Sequence, residues 1–281
     1  MFIFRQSLHI LVSLLIAISA YVIHAQTVMT PGSAINVAGR QRFLSQRMGK
    51  DYVFKLLGKQ VDVSTSELQT SIVQFEENIK ALKAYVPNSS LTLLAKEVAL
   101  WADYRKILVA EPSKENAQLL LNMNSKLLAA ANDVVLDLVK WAARQPRRES
   151  GTGVSAALVA ENADQAGRVR MLGQRMTFCY RAYIAGSTTP NNDIVKQIQQ
   201  IATGIQSGMS SLVLSNVNTV DIDDAISSAI LDWRYIEEKC TGNNCVVFEE
   251  KTIDSGEIFM ITNRMLAKMD DITGMYANLL E

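Results

Sequence analysis

The chain has 281 residues, 48% of them hydrophobic, with 14 Gly and 5 Pro, which is enough apolar matter for a real core and too little glycine and proline for a disordered chain. Lysine plus arginine and aspartate plus glutamate number 28 each. The resulting formal neutrality excludes a global field suited to nucleic acid, so any preference for anions must be local.

Arg5 and the apolar run Ile10 to Ile23, followed by Ile23-His24-Ala25, read as a secretory signal over residues 1–25. The run is short of the roughly 20 apolar residues of a spanning helix, though an uncleaved N-terminal anchor is the alternative. Both readings place the body outside the cytoplasm. Both histidines, His9 and His24, lie in this leader. A cleaved chain therefore has no Ser-His-Asp or Cys-His arrangement and no imidazole metal ligand, which argues against an enzyme and against a cofactor.

The remainder reads as all-α, with turn signals cutting it into helical segments. A first helix is expected from Pro31 to Leu57, ending at Gly58. Ser64 and Glu67 have the spacing of a capping box opening a helix from Leu68 to Tyr85. A turn at Pro87 to Ser90 precedes Leu91 to Val109, and Ser113 caps a long helix reaching Trp141. Residues 146–153 read as a linker. The plan then repeats: Val154 to Ile184 ending at Gly186, Thr189-Pro190 leading to Leu214, Asp221 to Glu238, and Asp254 with Glu257 capping a helix through Met275. The expected architecture is two tandem four-helix bundles, 26–145 and 154–281. Trp101 and Trp233 fall on the third helix of each, and Leu128-Ala129 and Leu266-Ala267 on the fourth.

One stretch carries the repeat. Ala38-Gly39-Arg40-Gln41-Arg42-Phe43-Leu44-Ser45-Gln46-Arg47-Met48 and Ala166-Gly167-Arg168-Val169-Arg170-Met171-Leu172-Gly173-Gln174-Arg175-Met176 are offset by 128 residues and identical at 8 of 11 positions, pointing to an internal duplication. No acid occurs from Thr27 through Lys50 or from Gln165 through Asn192. At about 100° per residue, Asn36, Arg40, Phe43 and Arg47 form one stripe, with Asp164, Arg168, Met171 and Arg175 its counterpart. Asp164 is placed to pair with Arg168. Arg42 and Arg170 lie on another face, among small neighbours where helices can approach. Gly39 and Gly167 cost helix stability, so their presence in both copies points to a close approach.

Guanidinium groups present a planar donor fork suited to flat oxyanions. Two such helices could bring Arg47 and Arg175 together around one small anion. The opposing reading pairs the arginines with acids elsewhere, Asp51, Glu76, Glu77, Asp103 and Asp137 being the candidates. Three cysteines remain: Cys240 and Cys245 have the spacing of a disulfide-closed loop, and Cys179 reads as a buried small residue.

The segment Ile35-Asn36-Val37-Ala38-Gly39-Arg40-Gln41-Arg42-Phe43-Leu44-Ser45-Gln46-Arg47-Met48 resembles the signature of the PilJ-type domain, the N-terminal sensory domain of type IV pili chemotaxis transducers. It is also related to the ligand-binding box of nitrate/nitrite sensor kinases. The resemblance implies periplasmic helical-bundle sensing of a small anion such as nitrate or nitrite. Residue by residue it points to Arg47 and Gly39, and to Arg175 and Gly167, with Arg42 and Arg170 matching the earlier arginine of the box. The sequence departs from the nitrate version at Val37, Gln165, Gln46, Gln174 and Asp164. With no kinase or methyl-accepting region after Glu281, the chain reads as a free-standing input module needing a separate membrane-bound partner. A ligand-free interaction or scaffold module of a pilus or envelope complex is the competing expectation.

Overall fold

In the computed structural model, residues 29–144, 155–187, 194–239 and 254–281 are described, and all the regular structure among them is helical. The helices are α1 (Pro31–Leu56), α2 (Val61–Tyr85), α3 (Asn88–Leu108), α4 (Lys114–Ala142), α5 (Ala156–Ile184), α6 (Ile194–Val213), α7 (Val220–Lys239) and α8 (Ser255–Asn278). The expected leader, the linker at 146–153, the Thr189-Pro190 helix start and the Cys240–Cys245 pairing lie outside the described residues. Among the described residues no helix is long and apolar enough to cross a membrane.

Local chemistry explains most of the helix ends. Ser113, Ser155 and Asp254 are N-caps whose side chains accept from the backbone N–H of Asn116, Leu158 and Gly256. Gly58 and Gly186 stand at matching places after α1 and α5, both at φ 64°, where the left-handed conformation stops each helix. One expected start is corrected. Ser64 and Glu67 do not form a capping box: α2 begins at Val61, Ser64 is buried within it, and the preceding Gln60 takes φ 49° without a side-chain cap. Glu67 is thereby free for a role described below.

The eight helices belong to one compact unit, Pro31–Glu281. At its centre α1 packs along α5, and each of these also packs on α4 and on α8. Helices α2 and α6 flank α1 and α5 respectively, while α3 packs mainly on α4 and α7 mainly on α8. A β-carbon on Gly49 would lie 2.6 Å from the Phe178 ring, and one on Gly39 would meet the Arg170 guanidinium at 3.0 Å. These pairings run in the same sense along both helices, so α1 and α5 are parallel, each residue lying near the one about 128 positions on.

Among the described residues the core carries one carboxylate with no counter-charge. Glu97 on α3 is fully buried and neither oxygen has a hydrogen-bond partner. Burial pushes its pKa up to about 8. The unfolded chain ionises this group from about pH 4.5 upward while the folded chain does not. Its contribution to stability is therefore fully present below the unfolded pKa and is lost progressively as pH rises from there to the folded pKa of about 8. Glu97→Gln is expected to raise the melting temperature at pH 8 and to leave it nearly unchanged at pH 4, as measured by circular-dichroism melts across that range.

Candidate functional site

The repeated stretches meet along the α1–α5 seam, and their inner arginines cross it. Arg42 is 1% exposed; its Nη1 donates to Asp164 Oδ1 at 2.6 Å and to Asn132 Oδ1 at 3.1 Å. Arg170 is fully buried; its Nη1 donates to Asn36 Oδ1 at 3.1 Å and to Asp270 Oδ1. The arrangement is a swap. Positions 36 and 164 are 128 apart, and positions 132 and 270 are 138 apart, which is also the offset of Leu128-Ala129 from Leu266-Ala267. Each arginine thus reaches one position on the opposite motif helix and one on the fourth helix of its own half. Each finds one carboxylate and one carboxamide there, in exchanged places.

The glycines make the crossing sterically feasible. A β-carbon on Gly167 would stand 2.9 Å from Arg42 Nη2, and one on Gly39 3.0 Å from Arg170 Nη2. Each glycine is the floor on which the other copy's guanidinium rests. Phe43 adds a ring 4.8 Å from the Arg170 guanidinium carbon. Burial lowers the pKa of both arginines, Arg170 to about 10, with Asp270 and Asp164 acting in the opposite sense. Arg170 stays charged at neutral pH.

The outer arginines take separate directions. Arg40 donates from Nε and Nη2 to Asp270 at 3.3 and 3.0 Å. Arg47 forms an ion pair with Glu67 at 2.9 Å. Glu67 also holds Lys50 Nζ at 3.5 Å and accepts from Asn263 at 2.8 Å. Burial works to raise the Glu67 pKa, but Lys50, Arg47 and Asn263 together hold it below the usual range. Lys50, fully buried, lies 4.1 Å from the Phe259 ring centroid and 3.4 Å from Asp51, whose pKa burial raises to about 7. Arg168 is exposed. Among the described residues Arg175 turns to α4 and donates only to neutral acceptors: Asn124 Oδ1 at 2.9 Å, Ser125 Oγ at 3.2 Å and Gln46 Oε1 at 3.3 Å.

Three expectations are corrected by this geometry. Asp164 pairs with Arg42 and not with Arg168, because its side chain turns inward to the seam. Arg47 and Arg175 do not converge: one turns to α2 and the other to α4. The acids that meet the motif arginines are Glu67, Asp164 and Asp270, none of them among the five candidates. Of those, Glu76 pairs with Arg105, Asp103 with Lys106, and Asp137 accepts from Ser89 and Ser90. The partners were illegible because 20 to 230 residues separate them in sequence. Cys179 is buried and its thiol pKa is raised to about 11, which keeps it an unreactive packing residue.

Arg40, Phe43 and Arg47, one stripe on α1, line a single cavity of 270 Å3, closed by Gln74 of α2 and by Asn263 and Asp270 of α8. Arg175 does not line it.

The class that the fold and seam define is an all-helical bundle built around a repeated, arginine-bearing helix. Over residues 30–132, which hold α1 to α3 and most of α4, the chain is similar to the PilJ family, described as the Type IV pili methyl-accepting chemotaxis transducer N-term. Comparison with curated proteins and with solved structures gave no match.

Removing one partner of the Arg42–Asp164 pair leaves a buried guanidinium uncompensated. Asp164→Ala is expected to cost about 3 kcal/mol of unfolding free energy in urea titrations. Arg168→Ala, at an exposed position, is expected to change stability by less than about 0.5 kcal/mol in the same assay.

Proposed function

We propose that this chain is an exported, non-enzymatic sensory input module that recognises a small anion, nitrate and nitrite being the leading candidates, in the cavity between Arg40 and Arg47. The similarity of residues 30–132 to the N-terminal domain of chemotaxis transducers supports the sensory part of the reading. That similarity also supports a periplasmic position; a signal peptide or N-terminal anchor at residues 1–25 and a membrane-bound partner for output complete the proposal. The observation that carries the anion is a local excess of positive charge. Arg40 and Arg170 share one carboxylate, Asp270. Arg47 and Lys50 share Glu67, while Asp51, raised to about 7, is only partly ionised at neutral pH.

Arg40 and Arg47 are two helical turns apart on one face, and each keeps donor capacity beyond its bonds to Asp270 and Glu67. A flat oxyanion placed between them adds the missing negative charge without displacing either carboxylate. This reading moves the site from a point between the two motif helices to the side of the first.

A specific observation favours the competing reading of a ligand-free interaction module. Asp164 and Asp270 already act as built-in anions for Arg42 and Arg170 at the seam. If these internal carboxylates are the only anions the arginines meet, the motif is a structural device.

Thermal-shift titration with nitrate, nitrite and formate separates the two. The sensory reading expects the melting temperature to rise by about 5 °C at a hundredfold excess over Kd, and Arg47→Ala to abolish the rise. Affinity is expected to be higher at pH 6 than at pH 8, because protonation of Asp51 below about 7 removes a negative charge beside Lys50. No response to any of the three anions establishes the interaction module instead.

A further inference from the structure

The two halves correspond residue by residue. The eight buried positions of α2 recur on α6 at an offset of 130, α1 matches α5 at 128, and Asn132 of α4 matches Asp270 of α8 at 138. At these offsets Arg40 and Arg47 correspond to Arg168 and Arg175. The two acids that neutralise the first pair, Asp270 and Glu67, correspond to Asn132 and Gln197, and Asp51 corresponds to Cys179. The second half thus repeats the outer arginine pair with a neutral residue at the place of each of these acids.

The absence of acids extends over the three helices around the pair. Helix α6 has none in its whole length, α5 none after Asp164, and α4 none between Glu115 and Asp133. Asp164 itself is turned inward to Arg42. The side-chain contacts follow the correspondence. Arg175 Nη2 donates to Ser125, the counterpart of Asn263, and Nη1 donates to Asn124 and Gln46. Its Nε, the atom that Arg47 gives to Glu67, has no acceptor among the described residues. Asn132 Oδ1 is taken by Arg42, which leaves Nδ2 as a donor. Gly204 stands where α2 has Gln74, and only Leu172 lies within reach of a β-carbon there, so no α6 side chain covers the groove at that point. Arg168, Ser125 and Ala129 are exposed, and Arg175 is half-buried. A guanidinium drawn partly out of water without a counter-charge carries a desolvation cost that an anion offsets.

We infer that the groove between α4, α5 and α6 binds a short-chain dicarboxylate, with one carboxylate on Arg175 and the other on Arg168. The first half shows what fills this arrangement: one carboxylate at each outer arginine, supplied there by Glu67 and Asp270. In the second half the ligand supplies both. Arg168 and Arg175 lie on one face about 10 Å apart along the helix, and two long, flexible side chains at that spacing converge on the ends of a short dianion. The Ser125 hydroxyl and Asn132 Nδ2 add neutral donors. A monoanion satisfies one arginine only, and an amino acid finds no acid on these walls to receive its ammonium. The groove shares no residue with the Arg40–Arg47 cavity.

The test is isothermal titration calorimetry of the full chain in low-salt buffer with succinate and glutarate, compared with acetate and with uncharged succinamide. Expected is saturable binding of a dicarboxylate, weakened at least about tenfold, or about 1.4 kcal/mol, for acetate, and no binding of succinamide. Arg175→Gln and Arg168→Gln are each expected to weaken it at least about tenfold. Arg168 is exposed, so its variant reads binding apart from folding. Gln197→Glu, which restores the acid of the first half, is expected to weaken binding similarly by giving Arg175 an internal carboxylate. Arg47→Ala is expected to leave it unchanged, so failure of the nitrate reading and failure of this one are separable. Three results would overturn the inference: no heat with either dicarboxylate, acetate bound as tightly as succinate, or unchanged affinity in the variant carrying both Arg168→Gln and Arg175→Gln.

Discussion

The structure depends on two buried guanidinium groups crossing one helix seam. Arg42 and Arg170 sit at matching places on parallel helices, close enough that each shares space with the other's glycine. Left alone, two such charges would drive α1 and α5 apart and carry a desolvation cost of several kcal/mol each. Asp164 and Asp270 make the arrangement stable, and the swap ensures that each arginine receives one carboxylate. An acid at both 36 and 164, with none on the fourth helices, would supply the same charge without engaging α4 and α8. As it stands, the pairing of Arg170 ties α8 into the seam and the bond from Arg42 to Asn132 ties in α4.

That constraint radiates outward. Asp270, committed to Arg170, also receives Arg40, which places Arg40 at the edge of the cavity between α1 and α8. Glu67, lying inside α2, collects Arg47, Lys50 and Asn263, which joins α1, α2 and α8 at the far end of the same cavity. The second motif helix does not mirror this. Among the described residues Arg175 meets only amide and hydroxyl oxygens on α4 and on Gln46, and Arg168 stays in solvent. Two nearly identical stretches thus share an inner pair of arginines while their outer pairs differ in surroundings.

The second half differs again on its outer side. The Phe75–Trp101 stack fills the space between α2 and α3. On the other side Gly208 lets α6 press onto Val169 and Gln165, the buried Ile205 of α6 stands in the place of Phe75, and a cavity between α6 and α7 borders Trp233.

Much of the fold was legible from residues alone. Caps at Ser113 and Asp254, glycine stops at 58 and 186, and helical spacing of apolar residues are local signals, acting within a turn or two of the chain. The repeat at offset 128 announced that two helices share a role, and the Arg40-Phe43-Arg47 stripe announced residues that do line one cavity. The Ser64–Glu67 spacing misled, since a capping-box pattern cannot be told in sequence from two inward-facing helical residues one turn apart. The sequence by itself determined the helices, their repeated motif and which arginines are avoided by nearby acids. Only the tertiary structure decided which distant acids neutralise them, because ion pairing depends on which faces of α1, α5 and α8 are turned together, and that is set by packing across the whole chain.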